Sequence, residues 1–151
     1  MAVASRVEQL NRALELMYFG FRGLVDAPDR LLASRGLGRM HHRVLYFIAR
    51  TPGLSVGDLL ERLAITKQAL HRPLRDLLSR RLVTMKADAR DGRVRRLDLT
   101  SEGRRLETKL SGMQRAHLAR IFTRSGRHAE AGWRRVMSRM SILDRPDRRT
   151  D

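Results

Sequence analysis

"LSVGDLLERLAITKQALHRPLRDLLSRRLV", running from Leu54 to Val83, is the stretch that decides the fold. Ser55 stands three residues before Asp58 and just ahead of Leu59, Leu60 and Leu63, the pattern of a capping box at a helix start. It predicts a short helix over 56–63. Ala64 and Ile65 then make a tight turn, and Thr66 can cap a second helix over 67–80. Leu70, Leu74, Leu77 and Leu78 would bury one side of that helix. Its other side shows Lys67, Gln68, His71, Arg72 and Arg75. Two short helices joined by a tight turn, the second basic and polar outward, make a helix-turn-helix. Pro73 is the discordant residue. In an ordinary helix interior it removes a backbone hydrogen bond and costs ~3 kcal/mol, so a kink is expected, or tolerance because His71 to Arg75 faces solvent.

The residues after Arg81 extend the motif. "LVTMKA" has strand composition, "DARDG" is a turn, and "RVRRLDLT" reads as a returning strand in which Val94 and Arg96 alternate, imperfectly, against Leu97 and Leu99. A helix-turn-helix followed directly by a basic hairpin is a winged helix. Thr100 then caps a long helix with Leu106, Leu110, Met113 and Ile121 along one face. A last helix near 128–143 is expected to bury Trp133, Val136, Met137, Met140 and Leu143. Upstream, "RMHHRVLYFIAR" forms a helix that "TPG" closes at Thr51 to Gly53. A loop containing Gly36 and Gly38 precedes it. The chain opens on a long amphipathic helix, with Val3, Val7, Leu10, Leu14, Met17, Phe21 and Leu24 on one stripe. "DAPDR" is expected to end it at Pro28, since proline disfavours helix at the residue before it. The near-coiled-coil period of the stripe favours an oligomer seam over a core strut.

Charge narrows the partner. The net charge is +16, and residues 38–106 alone hold 16 basic against 7 acidic residues. An excess of that size beside a folding core points to a polyanion, most often nucleic acid, although an anionic membrane surface attracts the same charge. Cysteine is absent, which excludes disulfides, thiolate zinc sites and thiol redox switches. His41 and His42 are adjacent and so point about 100° apart on a helix, which does not suit a shared metal; no metal and no cofactor are expected. The N-terminal "MAVASRVEQLNRALEL" mixes charges too early for a secretory signal, and no apolar run nears the ~20 residues of a membrane span. A cytoplasmic protein without a membrane partner is the expectation.

"DARDGRVRRLDLTSEGRRL" and the helix-turn-helix before it resemble the MarR family (multiple-antibiotic-resistance-type regulators). The wing pattern, an Asp-x-Arg-Asp-x-Arg turn leading to Leu-Thr-x-x-Gly, is here Asp88, Arg90, Asp91, Arg93, Leu99, Thr100 and Gly103. The order of elements also matches across nearly the whole chain. The resemblance implies a mainly helical winged helix-turn-helix fold with long terminal dimerisation helices. Residues 1–36 and 106–151 would form the dimer body and 37–105 the DNA-binding lobe. It implies a homodimeric transcriptional regulator, with helix 67–80 in the major groove and the wing at the minor groove; the function expected is a repressor (or activator) of a pseudo-palindromic operator, released by a small-molecule effector. The candidate contacts to double-stranded DNA are Ser55, Thr66, Lys67, Gln68, His71, Arg72, Arg75, Arg90, Arg93 and Arg95. Arginine can pair bidentately with guanine and glutamine with adenine, and arginine at a hairpin tip suits a narrow A·T-rich minor groove. Asp88 and Asp91 would orient neighbouring arginines.

Members of the family commonly sense small aromatic or carboxylated molecules between the dimer helices and the DNA-binding lobe. Tyr18, Phe21, Arg22, Met40, His41 and Phe47 are the residues that would line such an effector pocket, or else serve as core and interface. The rival reading is an architectural, weakly specific DNA-binding protein, which the charge would equally serve. An enzyme is not expected: the sequence has no clustered carboxylates for a two-metal site, no zinc set and no glycine-rich phosphate loop.

Overall fold

A computed structural model describes residues 4–141. In chain order the described residues form α1 (Arg6–Ser34), α2 (Arg39–Arg50), β1 (Leu54–Ser55), α3 (Val56–Leu63), α4 (Lys67–Ser79), β2 (Val83–Ala87), β3 (Arg95–Leu99), α5 (Ser101–Ser125) and α6 (Arg127–Met140). The fold is mainly helical with one small antiparallel sheet, as the winged-helix reading expects. The chain divides into two compact units, residues 1–114 and 115–151.

In the first unit α1 runs further than expected. Ser5 caps it in a capping box with Glu8, and the helix passes through Pro28 to Ser34. Pro28 does not end it. The reason is burial: Val25, Pro28 and Leu32 form the stripe of α1 that is covered, and that packing offsets the one backbone bond the proline forfeits. The true stop is Gly36, at φ +65°. The Leu37 N–H reaches back to the Leu32 carbonyl and the Gly36 N–H to that of Ala33, the paired bonds of a glycine-terminated helix.

The helix-turn-helix forms where expected. Ser55 Oγ accepts the Asp58 N–H at 3.0 Å, and Thr66 Oγ1 accepts the Ala69 N–H at 3.1 Å. Between them Ala64 takes a left-handed conformation, φ 52°. α4 continues through Pro73, with Leu70, Leu74 and Leu77 buried. These leucines meet Leu45 and Ile48 of α2, Leu59 of α3 and Leu97 of β3 in one core.

The sheet has the order β1-β3-β2. Val83 pairs with Leu99, Met85 with Leu97 and Ala87 with Arg95. The sequence reading contained the two hairpin strands but not β1, whose two residues pair with Arg96 and Leu97. Where β3 meets α5, Thr100 Oγ1 donates to the Arg81 carbonyl at 2.7 Å and accepts the Gly103 N–H at 3.0 Å. Gly103 lies against β2 so closely that a Cβ there would overlap the Leu82 carbonyl. The Leu-Thr-x-x-Gly pattern therefore has a local cause: threonine ties the helix start to the chain entering β2, and only glycine fits the approach.

In the second unit, the Phe122 and Trp133 rings sit 5.3 Å apart, and Arg134 pairs with Glu130 at 2.6 Å. The expectation that the last helix buries its apolar residues is corrected. Trp133, Val136, Met137 and Met140 are all exposed, Val136 at 56%, and α6 has no buried residue. Two short helical segments cannot enclose such a stripe by themselves. Leu143, like Val3, lies outside the described residues. The α1 stripe is exposed as well, with Val7 at 66% and Leu14 at 65%. No helix among the described residues is long and apolar enough to cross a membrane.

Candidate nucleic-acid interface

α4 presents its polar side to solvent. Lys67, Gln68, His71, Arg72 and Arg75 are all exposed, at the spacing of one helix face. Lys67, Arg72 and Arg75 have no ion pair within the described residues. Their charge is free for an outside partner. Ser55 and Thr66 are the N-caps of α3 and α4, so their hydroxyls are already accepting backbone N–H groups.

The wing turn is braced by its two carboxylates. Asp88 Oδ2 accepts the backbone N–H groups of Arg90 and Asp91 at 3.0 and 3.1 Å. Its Oδ1 accepts from Arg96 Nε at 2.8 Å. Asp91 holds Arg93 bidentately along one guanidinium edge, accepting from Nε at 3.1 Å and from Nη2 at 3.3 Å. The Arg96 side chain above all, with those backbone donors, holds the Asp88 carboxyl below its ordinary range, and Arg93 does the same to Asp91. Asp88 and Asp91 thus orient their neighbours, as read from the sequence.

The four wing arginines divide by role. Arg96 also donates to the Gly53 carbonyl at 3.3 Å and ties the wing to the loop after α2. Arg93 is tethered yet exposed. Arg90 and Arg95 have side chains with no partner in the described residues. Between α3, α4 and the wing lies an open groove of about 630 Å³. Ser55, Lys67, His71, Arg75, Arg93 and Arg95 line it over a floor that includes Leu74 and Met85. Gln68 and Arg72 stand on the adjoining face of α4.

A second cavity, of about 310 Å³, lies between α1 and α2. Of the six residues expected for an effector, it takes Phe21 and Phe47. Tyr18 and Arg22 lie elsewhere on exposed α1, where the Arg22 guanidinium sits 5.9 Å from the Tyr18 ring. Met40 is half-buried away from the cavity. His41 is engaged: its Nδ1 accepts the Gly38 N–H at 2.9 Å and its Nε2 faces Asp76 Oδ2 of α4 at 3.2 Å. Sequence reasoning missed Arg39, His42, Arg43 and Tyr46, which recur on α2 as i, i+3, i+4 and i+7. That periodicity was the signal. Arg39 pairs with Asp29 at 2.7 Å, its guanidinium 5.4 Å from the Phe21 ring.

Residues 35–94 match the sequence profile of the MarR family. HTH-type transcriptional regulator PetP of Rhodobacter capsulatus is 43% identical over 133 residues, covering 88% of this chain and 80% of that one. This chain belongs to the MarR family. It is a transcriptional regulator on a DNA-binding fold, in a family of regulators and not of enzymes. HTH-type transcriptional repressor Rv2887 of Mycobacterium tuberculosis is similar at 28% identity over 120 residues, 78% of this MarR-family chain and 86% of its own. Among solved structures, a MarR-family regulator from Silicibacter pomeroyi is similar with a TM-score of 0.75 at 21% identity, over 97% of this chain and 99% of that one. NadR, solved in complex with 4-hydroxyphenylacetate, has a TM-score of 0.71 at 20% identity, over 95% and 99%. These two likenesses bear on the fold alone.

Proposed function

We propose that this MarR-family chain is a homodimeric repressor of a pseudo-palindromic operator and that a small aromatic carboxylate releases it. The observation that carries the reading is the free basic face of α4 beside the wing. Lys67, Gln68, His71, Arg72 and Arg75 supply major-groove contacts, with arginine to guanine and glutamine to adenine. Arg90, Arg93 and Arg95 supply wing contacts to the backbone and minor groove, and Ser55 and Thr66 lie at the helix starts nearest the phosphates.

The exposed apolar stripe of α1, and separately that of α6, favours a second copy of the chain as its cover, because large exposed apolar patches mark interaction sites. Residues 1–36 and 106–151 are then the dimer body and 37–105 the reading lobe, in a cytoplasmic protein. The α1–α2 cavity is the effector site in this reading, with Arg39 and Arg43 for a carboxylate and Phe21 and Phe47 for a ring. The naming of Rv2887 as a repressor and the ligand in NadR support these roles by analogy. Selection of bound duplexes from a random pool tests the proposal, followed by titration of the selected site with and without benzoate. A preference of ~10³-fold or more over random DNA is expected. A flat preference would favour the architectural alternative.

A further inference from the structure

Arg80 joins the ends of two helices. Its backbone closes α4, where its N–H donates to the Asp76 carbonyl at 3.1 Å. Its side chain crosses to the end of α1. There Nη1 donates to the Arg35 carbonyl at 2.6 Å and Nη2 to the Gly36 carbonyl at 3.4 Å. The last carbonyls of a helix have no partner within it, and a cation is favoured beside them. α1 has no basic residue in its own last turn, so Arg80 supplies that charge from another element. Gly36 leaves room for it: at φ +65°, a Cβ there would stand 3.3 Å from Arg80 Nη2. Among the described residues, these are the only side-chain hydrogen bonds that join the end of α1 directly to the end of α4. Arg39 also braces α1, through Asp29 at 2.7 Å, but from α2.

What this tie controls follows from the length of α1. The covered stripe of that helix runs only from Val25 to Leu32, about 10 Å along the axis. Residues 6–24 project about 28 Å beyond it. That is a short base for a long lever. A tilt of about 7° at the base moves the far end by about 3.5 Å, close to the rise of one base pair. We propose that Arg80 is a positioning residue that pins the foot of α1 to the end of α4 and so fixes the spacing between the two half-sites the dimer reads. The inference rests on the reading of the chain as a homodimer on a pseudo-palindromic operator, with the exposed part of α1 in the seam. With the seam on α1 and the readout on α4, the angle between them sets the distance between the two copies of α4. Packing of Val25, Pro28 and Leu32 keeps the helix on the lobe. The tie lies beyond Leu32, lengthens the base and resists the tilt.

The test varies the operator. Fluorescence anisotropy compares the selected site with versions whose half-sites are one base pair closer or further apart, and with a single half-site. One base pair shifts a half-site by about 3.4 Å and turns it by about 35°. The native chain should therefore prefer the selected spacing by about tenfold. In Arg80→Ala that preference should fall to within about threefold, while affinity for the single half-site stays within about twofold of native. Arg80→Lys keeps the charge but lacks the fork that meets two carbonyls, and should fall between the two. Gly36→Ala should flatten the profile with every charge in place, because its methyl crowds the guanidinium. An unchanged profile in Arg80→Ala overturns the proposal. So does an equal loss at every spacing and on the single half-site, which would make Arg80 a phosphate contact. Sedimentation of the native protein, free and on the operator, separates this failure from that of the reading beneath it. A chain that stays monomeric in both overturns the dimer and the spacing argument together.

Discussion

The division of the wing arginines makes a quantitative prediction about salt. Each phosphate neutralised on duplex DNA contributes about 0.9 to the slope of log K against log salt. Arg90, whose guanidinium is free, should supply a full share. Arg93 must loosen its hold on Asp91, 3.1 Å away, so it should supply less. The double variant Arg90→Ala with Arg93→Ala should flatten the slope by at most about 1.8. Between about 50 and about 200 mM salt, a fourfold rise or about 0.6 log unit, the native protein should then lose up to about twelvefold more affinity than the variant. The loss should be similar on a selected operator and on random duplex, because phosphates carry no sequence. Arg96→Ala is the internal control. Arg96 is committed to Asp88 and Gly53, so its removal should alter the slope far less. Fluorescence anisotropy across a salt series measures all of these. An unchanged slope in the double variant, or an equal flattening by Arg96→Ala, would refute the assignment.

Other consequences are equally accessible. Arg72→Ala or Arg75→Ala should cost about 1–3 kcal/mol on the operator and less on random DNA; equal losses on both would make them phosphate contacts. Gly103→Ala, whose methyl would strike the Leu82 carbonyl, should cost about 1–3 kcal/mol in urea denaturation, and an unmoved midpoint would remove the close approach as the reason for glycine. His42, depressed by burial, stays neutral in the folded chain while the unfolded chain takes up a proton below about 6.5. Stability should therefore fall as pH drops from that value toward the folded pKa, and His42→Phe should flatten this part of the stability curve. Asp76→Ala should weaken the effect of benzoate on operator affinity severalfold while leaving operator affinity without benzoate nearly unchanged, read from paired titrations with and without the acid.

What the sequence made legible was local. Ser55, Thr66 and Thr100 announce helix starts because a cap lies within three residues of the N–H it accepts. The leucines of α4 announce a buried face because 3.6-residue periodicity is written along the chain. The failures share a different cause. Pro28 stops a helix in isolation, yet burial of Val25, Pro28 and Leu32 overrides it, and burial is a tertiary fact. β1 is two residues long and exists only because β3 returns beside it. The His42–Ser111 bond joins residues 69 positions apart, and no window of sequence holds both. Trp133 and its neighbours were apolar and periodic, as a buried face would be. The pattern identifies a face that wants cover and is silent on which chain provides it.

α2 is the element on which the two proposed activities converge, and its faces explain how they can communicate. Arg39, His42, Arg43 and Tyr46 look into the cavity. Val44, Leu45 and Ile48 are buried in the core that also holds Leu70, Leu74 and Leu77 of α4. Between those faces His41 links the first turn of α2 to Asp76, a half-buried residue of α4. Arg80, just past the end of α4, donates to the Arg35 carbonyl at the end of α1 at 2.6 Å. A carboxylate that drew Arg39 away from Asp29 would act on the same turn that carries His41. Closely packed cores transmit such displacements and do not absorb them. The displacement need not be large, since major-groove readout depends on side chains meeting base edges at hydrogen-bond distance. Both walls of the cavity are thus bonded to the helix bearing Arg72 and Arg75, one through His41 and the other through Arg80.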